Sequence, residues 1–192
     1  MLLRNEGIDR DGLPRFSDVG MAVGADDVKD GRGLAIADYD NDGALDLAIN
    51  NNPGDHGAES IPATLLRNNV GSRRSWLAVE LEGTTCNRDA VGAVVLAEID
   101  ADHCGGKTHL AKQLRHVTAG SGYASQHGAR LYFGLDDRPQ VDRLTVRWPG
   151  GGTETFTNVK ARQLVRITQG KGVEYGPLPA KRCAGNRGTA AP

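Results

Sequence analysis

Four aspartates recur at close spacing in one short stretch, DYDNDGALD at residues 38–46. They occupy positions 1, 3, 5 and 9 of this stretch, and a glycine that permits a sharp turn occupies position 6. Alternate carboxylates that converge in a turned loop repel one another, and a hard cation with oxygen ligands relieves that repulsion. Ca²⁺ accepts six to eight oxygens in flexible geometry. The spacing therefore predicts a Ca²⁺ site with these ligands: Asp38, Asp40, Asp42, Asp46 and, through its backbone carbonyl, Ala44.

The elements around this loop are predicted to be strands. Residues 33–37 (GLAIA) and 45–49 (LDLAI) are short apolar runs bounded by glycine and asparagine, which favours strands joined by the loop as a hairpin. An EF-hand would need helices on both sides and a glutamate at position 12, where this chain has Ile49. An acidic surface turn without metal is the alternative that the residues leave open.

Composition predicts an all-β protein. The 192 residues include 26 glycines and few aromatic residues, and turn dipeptides recur at short intervals, as is typical of many short strands. The net charge is −1, with acidic and basic residues interspersed, so the chain has no strong field to attract nucleic acid or an anionic membrane. No apolar run reaches the ~18 residues that a membrane-spanning helix requires.

The chain from residue 75 onwards predicts a second β domain. Residues 76–82 and 141–148 alternate apolar and polar side chains with period two. Five further short runs separated by turn signals complete the set: 91–99, 109–118, 130–135, 153–156 and 163–167. About seven strands of this kind make a β-sandwich or barrel. We therefore expect a calcium-loop repeat region at 1–71, this domain at 72–170 and a flexible tail at 171–192.

The first region contains an internal echo, since LLRN occurs at residues 2–5 and again at 65–68. A period of about 60 residues built from short strands is typical of a repeat array such as a propeller. Together with the aspartate loop, this pattern resembles the FG-GAP/VCBS repeat of integrin-type β-propellers. The resemblance implies a partial propeller repeat whose loop binds calcium between two strands of one blade.

The second region resembles the ASPIC/UnbV domain, a module that follows FG-GAP repeats in many secreted proteins. The segments that carry the resemblance occur in family order: NRDAVGA (87–93), GSGYASQ (120–126), FGL (133–135), VRWPGG (146–151) and NV (158–159). The family has no agreed biochemical activity. The resemblance implies a calcium-dependent extracellular binding, adhesion or scaffold module and no enzymatic reaction.

Two observations bear on the cellular compartment. No apolar segment typical of a signal peptide follows the first residues, whereas a calcium site of this charge fills best where calcium is millimolar, outside the cytosol. We expect an extracellular, periplasmic or cell-surface protein of which this chain is the C-terminal part. A partial repeat would leave a sheet edge open, which favours pairing with another chain or docking on the second domain.

An accessory enzyme or assembly factor in carbohydrate or secondary-metabolite processing is the alternative function, and an enzyme would need a pocket of titratable groups around Ser125, His127 and Arg130. Residues 105–108 (GGKT) imitate the end of a phosphate-binding loop, but no helix is predicted after them, and a hairpin turn explains them better. Ser125 lacks the flanking glycines of a nucleophile elbow. We therefore expect no catalytic residues.

The polar loops of the second region offer candidate ligand-binding residues. Arg88, Tyr123 and Gln126 lie between predicted strands, where binding loops are common, and they suit a glycan or peptide ligand through stacking and bidentate hydrogen bonds. Ordinary turn chemistry explains the same residue types and is the favoured alternative.

The three cysteines are too few for a disulfide framework, and they do not follow zinc-ligand spacing. A bridge between Cys86 and Cys104 is left open.

Overall fold

The structure is a computed structural model that describes residues 2–52, 61–99 and 111–179. Within these ranges the chain is all-β, as predicted, with thirteen strands in four sheets and two short 3-10 turns. No helix among the described residues is long and apolar enough to cross a membrane.

The first region contains two small sheets. Strands β1 (Leu3–Ile8) and β2 (Pro14–Asp18) form an antiparallel pair. Strands β3 (Gly31–Ala37), β4 (Asp46–Asn51) and β5 (Thr64–Leu66) form a three-stranded sheet in that order. The aspartate loop connects β3 to β4, so the predicted hairpin is confirmed, with Ala37 opposite Asp46 at its end.

The propeller repeat stays a prediction. A propeller blade typically has four strands, whereas the sheet around the loop has three among the described residues. The two LLRN copies also lie in different settings, because the first is in β1, which pairs with β2, and the second overlaps β5, which pairs with β4.

The second region is a sandwich of two four-stranded sheets, which decides between the predicted sandwich and barrel. One sheet has the order β11-β10-β7-β8 and the other β13-β12-β6-β9. The strands are β6 (Ser75–Glu82), β7 (Val94–Ile99), β8 (Ala111–His116), β9 (Leu131–Asp136), β10 (Gln140–Arg147), β11 (Thr153–Lys160), β12 (Gln163–Thr168) and β13 (Gly172–Gly176). All pairs are antiparallel except β6 with β12, which is parallel.

The core lies between these two sheets. Alternate side chains of the strands point inwards, as the period-two pattern predicts, and the largest fully buried ones include Phe133, Leu77, Leu144 and Ile167. The turn from β10 to β11 runs through residues 150–152, three glycines with positive φ of 80°, 108° and 89°, a backbone conformation that glycine adopts without steric cost.

Residues 172–176 form a strand, which corrects their predicted place in a flexible tail. Strand β13 lies inside the segment assigned to the tail, and it pairs with β12 so that Ile167 faces Val173. Val173 also packs against the sandwich core. The segment has only one aliphatic residue between glycines, too weak a pattern to identify a strand by itself, and it becomes one because the edge of β12 offers it hydrogen-bond partners.

Candidate metal centre

The aspartate loop is closed by hydrogen bonds from its own backbone. Asp38 Oδ1 accepts from the N–H of Asp42 at 3.0 Å, and Asp38 Oδ2 accepts from the N–H of Gly43 at 2.9 Å. Asp42 Oδ1 accepts from the N–H of Ala44 at 2.9 Å. These bonds turn the chain back on itself and hold the loop closed.

Three of the predicted ligands converge. Carboxylate oxygens of Asp38, Asp40 and Asp42 lie within 4.8 Å of one another. Asp38 is buried and the other two are half-buried. All donors of this group are hard anionic oxygens, the ligand type that Ca²⁺ prefers, and their spacing suits one ion among them.

Asp46 lies outside this group of three. It is buried, with 2% of its surface exposed, and its carboxylate accepts from the N–H of Tyr39 at 2.9 Å and from the N–H of Asn68 at 2.7 Å. It therefore ties the start of the loop to the chain that follows β5. Each carboxylate oxygen has a second lone pair, so these bonds are compatible with the predicted ligand role.

Arg67 also contacts the acidic group, a contact that the aspartate pattern did not predict. Its Nη2 lies 2.6 Å from Asp40 Oδ2 and 3.5 Å from Asp42 Oδ2, and half of its side chain is exposed. The guanidinium partly neutralises the carboxylates. One feature of the sequence could have indicated this contact. Arg67 lies in the second LLRN copy, directly after β5, which pairs with the hairpin strand β4.

The sandwich also contacts the loop. The Tyr132 hydroxyl donates to Asp38 Oδ2 at 3.1 Å, and Arg130 Nη1 donates to Asn41 Oδ1 at 3.1 Å. The backbone of Gly43, with φ of 92°, lies against the Trp76 indole so closely that an added Cβ would be 2.0 Å from the ring. The glycine is thus required twice, for its conformation and for this contact.

A shallow pocket of about 350 Å³ lies beside these contacts and is lined by residues of both the first region and the sandwich. Its polar wall is the paired Arg130 and Glu80, joined by Nη2 to Oε1 at 2.6 Å, and its other walls are mainly apolar, including Ile36 and Leu45. Burial raises the pKa of the neighbouring Tyr132 to about 12, so its hydroxyl remains protonated at physiological pH.

Ser125 and His127 hold the first region against the sandwich. The Ser125 hydroxyl accepts from the N–H of Leu34 at 2.9 Å, and His127 Nδ1 accepts from the N–H of Ile36 at 3.2 Å. The outer edge of β3 therefore docks on the second domain, one of the two outcomes expected for an open edge. No hydrogen bond joins the serine to the histidine in the described part of the chain, and the enzymatic alternative gains no support from them.

The three candidate ligand-binding residues of the sandwich do not form a site together. Arg88 is 85% exposed in its side chain and lies 3.8 Å from Glu82, Tyr123 is 80% exposed, and Gln126 is exposed. No hydrogen bond among the described residues links any two of them, so a ligand site there stays a prediction.

Of the three cysteines, Cys86 lies in the described part of the chain, where it is half-buried. Cys86 Sγ lies 3.3 Å from Gln169 Oε1, while Cys104, Cys183 and residues 105–108 lie outside the described residues. The disulfide between Cys86 and Cys104 stays a prediction.

Comparison with known proteins supports the second resemblance. Residues 83–174 match the family model described as ASPIC and UnbV, a span that ends within β13. Cartilage acidic protein 1 of Mus musculus is 31% identical over 122 residues, 63% of this chain, and that of Xenopus tropicalis is 31% identical over 125 residues, 64% of this chain. The human protein is 30% identical over 122 residues, again 63% of this chain.

These relatives are much longer than the chain. The matched part covers 17% of the mouse and Xenopus proteins and 16% of the human one. The FG-GAP/VCBS resemblance of the first region stays a prediction, whereas the sandwich, from the end of β6 into β13, is similar to the ASPIC and UnbV family.

Proposed function

We propose that the chain is a calcium-binding, non-enzymatic module that acts in extracellular binding, adhesion or scaffolding. The observation that carries the proposal is the convergence of Asp38, Asp40 and Asp42 within 4.8 Å in a loop closed by its own hydrogen bonds. In the described part of the chain the Arg67 guanidinium contacts Asp40 and Asp42, and its single positive charge is smaller than the summed negative charge of the three carboxylates. A divalent cation would remove that excess negative charge.

The cation would stabilise the folded chain by mass action. A ligand that binds only the folded state at about one hundred times its Kd contributes about 2.7 kcal/mol. For a chain of this size, that corresponds to a rise in Tm of roughly 5–10 °C. Millimolar extracellular calcium would keep a site of modest affinity filled, and the likeness to cartilage acidic protein 1 supports an extracellular setting. A glycan or a protein is the proposed partner class, and the outer edge of β5, at the side of the sheet opposite β3, offers pairing to another chain.

The test is a double substitution in the loop, Asp40→Ala with Asp42→Ala. We expect the calcium-induced rise in Tm and the heat of calcium binding in titration calorimetry to disappear, because two of the three converging carboxylates are lost.

The control is Asp136→Asn with Asp137→Asn, which removes the same charge from an exposed pair bound to Arg74 in the sandwich. Asparagine suits position 136, whose φ is 54°. This variant is expected to keep the full calcium response. A calcium response that survives the loop substitutions would refute the site.

A further inference from the structure

Tyr132 reaches the acidic group from the second domain. It lies on β9, opposite Ala78 of β6, and its hydroxyl donates to Asp38 Oδ2 at 3.1 Å across 94 positions of the chain. Asp38 is the most buried of the three converging aspartates. Among the described residues, its two oxygens otherwise accept from the backbone N–H groups of Asp42 and Gly43.

A chain of polar contacts fixes Tyr132 from behind. Arg130 Nη1 donates to the Tyr132 oxygen at 3.2 Å, and Arg130 Nε donates to Glu80 Oε1 at 2.8 Å. Glu80 in turn accepts from Arg166 Nε at 2.9 Å. The phenol thus has one acceptor, Asp38, and its own oxygen is held by a guanidinium. This leaves the hydroxyl little freedom to turn away.

The Tyr132 hydroxyl donates to Asp38 Oδ2 while Arg130 holds the phenol oxygen from the other side. A donor held in place orients a carboxylate and restricts its rotation, and outer partners of this type affect metal affinity through the ligand they hold.

We propose that Tyr132 is a positioning residue of the cation site, so that the sandwich completes the loop. The inference rests on the proposed calcium binding. Tyr132 would not ligate the cation itself, because its hydroxyl proton is directed at Asp38. Coupling between two binding equilibria is reciprocal. If the contact with Tyr132 raises the cation affinity of the loop, cation binding must strengthen the docking of the loop on the sandwich by the same free energy.

The experiment uses the full chain and Tyr132→Phe, which removes the hydroxyl and keeps the ring. Tb³⁺ binds calcium sites and emits when a nearby indole absorbs light, and Trp76 contacts the loop at Gly43. Titration with Tb³⁺, followed by displacement with Ca²⁺, gives the affinity in each variant. We expect calcium binding to weaken about 10- to 100-fold in Tyr132→Phe.

Tyr175→Phe is the matched control. Tyr175 lies on β13 and is 54% exposed, and we expect its substitution to leave calcium affinity unchanged. Equal affinity of the wild-type chain and Tyr132→Phe would overturn the positioning role while leaving the calcium site intact. A wild-type chain that bound neither Tb³⁺ nor Ca²⁺ would refute the proposed function and this inference with it.

A measurement on the wild-type chain guards against a variant that fails to fold. The amides of Leu34 and Ile36 donate to Ser125 and His127 of the sandwich, so their hydrogen exchange reports docking. We expect calcium to slow exchange at both amides at least severalfold. If saturating calcium leaves both exchange rates unchanged, cation binding and docking of the loop on the sandwich are not coupled.

Discussion

Arg67 contacts two of the carboxylates that would ligate the proposed cation. Its guanidinium lies 2.6 Å from Asp40 Oδ2, an oxygen that belongs to one of the predicted ligands. A guanidinium and a divalent ion attract the same carboxylates, so each lowers the affinity of the other. We therefore expect Arg67 to stabilise the calcium-free loop and to oppose the proposed binding of calcium.

Substitution Arg67→Gln should separate these two effects. We expect a lower Tm without calcium and a calcium affinity about two- to fivefold tighter, because an ion pair of this exposure contributes about 0.2–1 kcal/mol. Titration calorimetry and thermal unfolding with and without calcium measure both.

Arg32→Gln is the control for Arg67→Gln. Arg32 pairs with Asp30 at 2.8 Å, both side chains are half exposed, and the pair belongs to the same sheet without touching the acidic group. Its substitution should leave calcium affinity unchanged. A looser site in Arg67→Gln would show that the guanidinium supports the ligands and does not compete for them.

At the residue scale, the sequence predicted the loop but not its surroundings. Asp38, Asp40 and Asp42 converge as their spacing implies, since a tight turn brings alternate side chains together. Tyr132 lies 94 positions away from Asp38, and no local pattern reveals a contact over that distance. The alternation of β9 shows only that Tyr132 points away from the core.

At the scale of elements, the loop between β8 and β9 covers the outer edge of β3. An exposed strand edge pairs readily with other chains, and natural proteins cover such edges. Here the cover consists of side-chain acceptors, Ser125 and His127, together with the close approach of Gly33 to the Ala124 carbonyl. A Cβ at Gly33 would lie 2.6 Å from that oxygen, so a larger residue would push the loop away.

Removing both acceptors, Ser125→Ala with His127→Ala, should expose that edge. Each lost hydrogen bond is worth about 0.5–1.5 kcal/mol, so we expect a loss of roughly 1–3 kcal/mol and faster amide exchange at Leu34 and Ile36. Light scattering should also show self-association that grows with concentration, because the freed edge accepts another strand.

Ser121→Ala in the same loop is the matched control, since the Ser121 hydroxyl has no hydrogen-bond partner in the described part of the chain. It should leave both amides protected. If the double variant shows the same exchange as the wild type, the two side chains do not cap the strand.

The elements themselves were largely predictable. The hairpin and the strands of the sandwich follow from apolar periodicity and from the glycine turns between them. Strand β13 was missed because pairing with β12, and not its own composition, makes it a strand. The pairing of β6 with β12 could not be predicted from the sequence either, because periodicity identifies strands but not the strands they pair with.

At the scale of the whole molecule, Glu80 is connected to the aspartate loop through Arg130, which also donates to Asn41. Burial raises the pKa of Glu80, but hydrogen bonds from Arg166 and Arg130 outweigh that effect and hold the pKa below its ordinary value of 4.5. A carboxyl whose pKa is lower in the folded state stabilises the protein above its unfolded-state pKa. That stabilisation is lost as the pH falls from about 4.5 through the folded-state pKa.

Glu80→Gln should therefore reduce the free energy of unfolding at pH 7 by about 1–2 kcal/mol, and the difference from the wild type should shrink as the pH falls below about 4.5. Urea unfolding of both proteins between pH 7 and pH 3 measures this difference. The other carboxyl groups titrate in both proteins, so their contribution cancels when the two free energies of unfolding are subtracted.

Glu82→Gln on the same strand is the control. Glu82 is more exposed and lies 3.8 Å from Arg88, so its substitution should change stability little at any pH. A wild-type advantage over Glu80→Gln that stayed constant down to pH 3 would contradict the role assigned to the carboxylate charge.

The parallel pairing of β6 with β12 has a consequence for synthesis of the chain. The two strands align from Leu77 opposite Gln163 to Glu82 opposite Thr168, so about eighty residues separate them along the chain. After β6 has left the ribosome, one neighbour, β9, follows midway, but almost the entire sandwich must be translated before the other neighbour, β12, emerges. Contacts so distant in sequence form slowly, and a nascent chain halted before residue 163 would carry an unfinished sheet that invites aggregation or a chaperone.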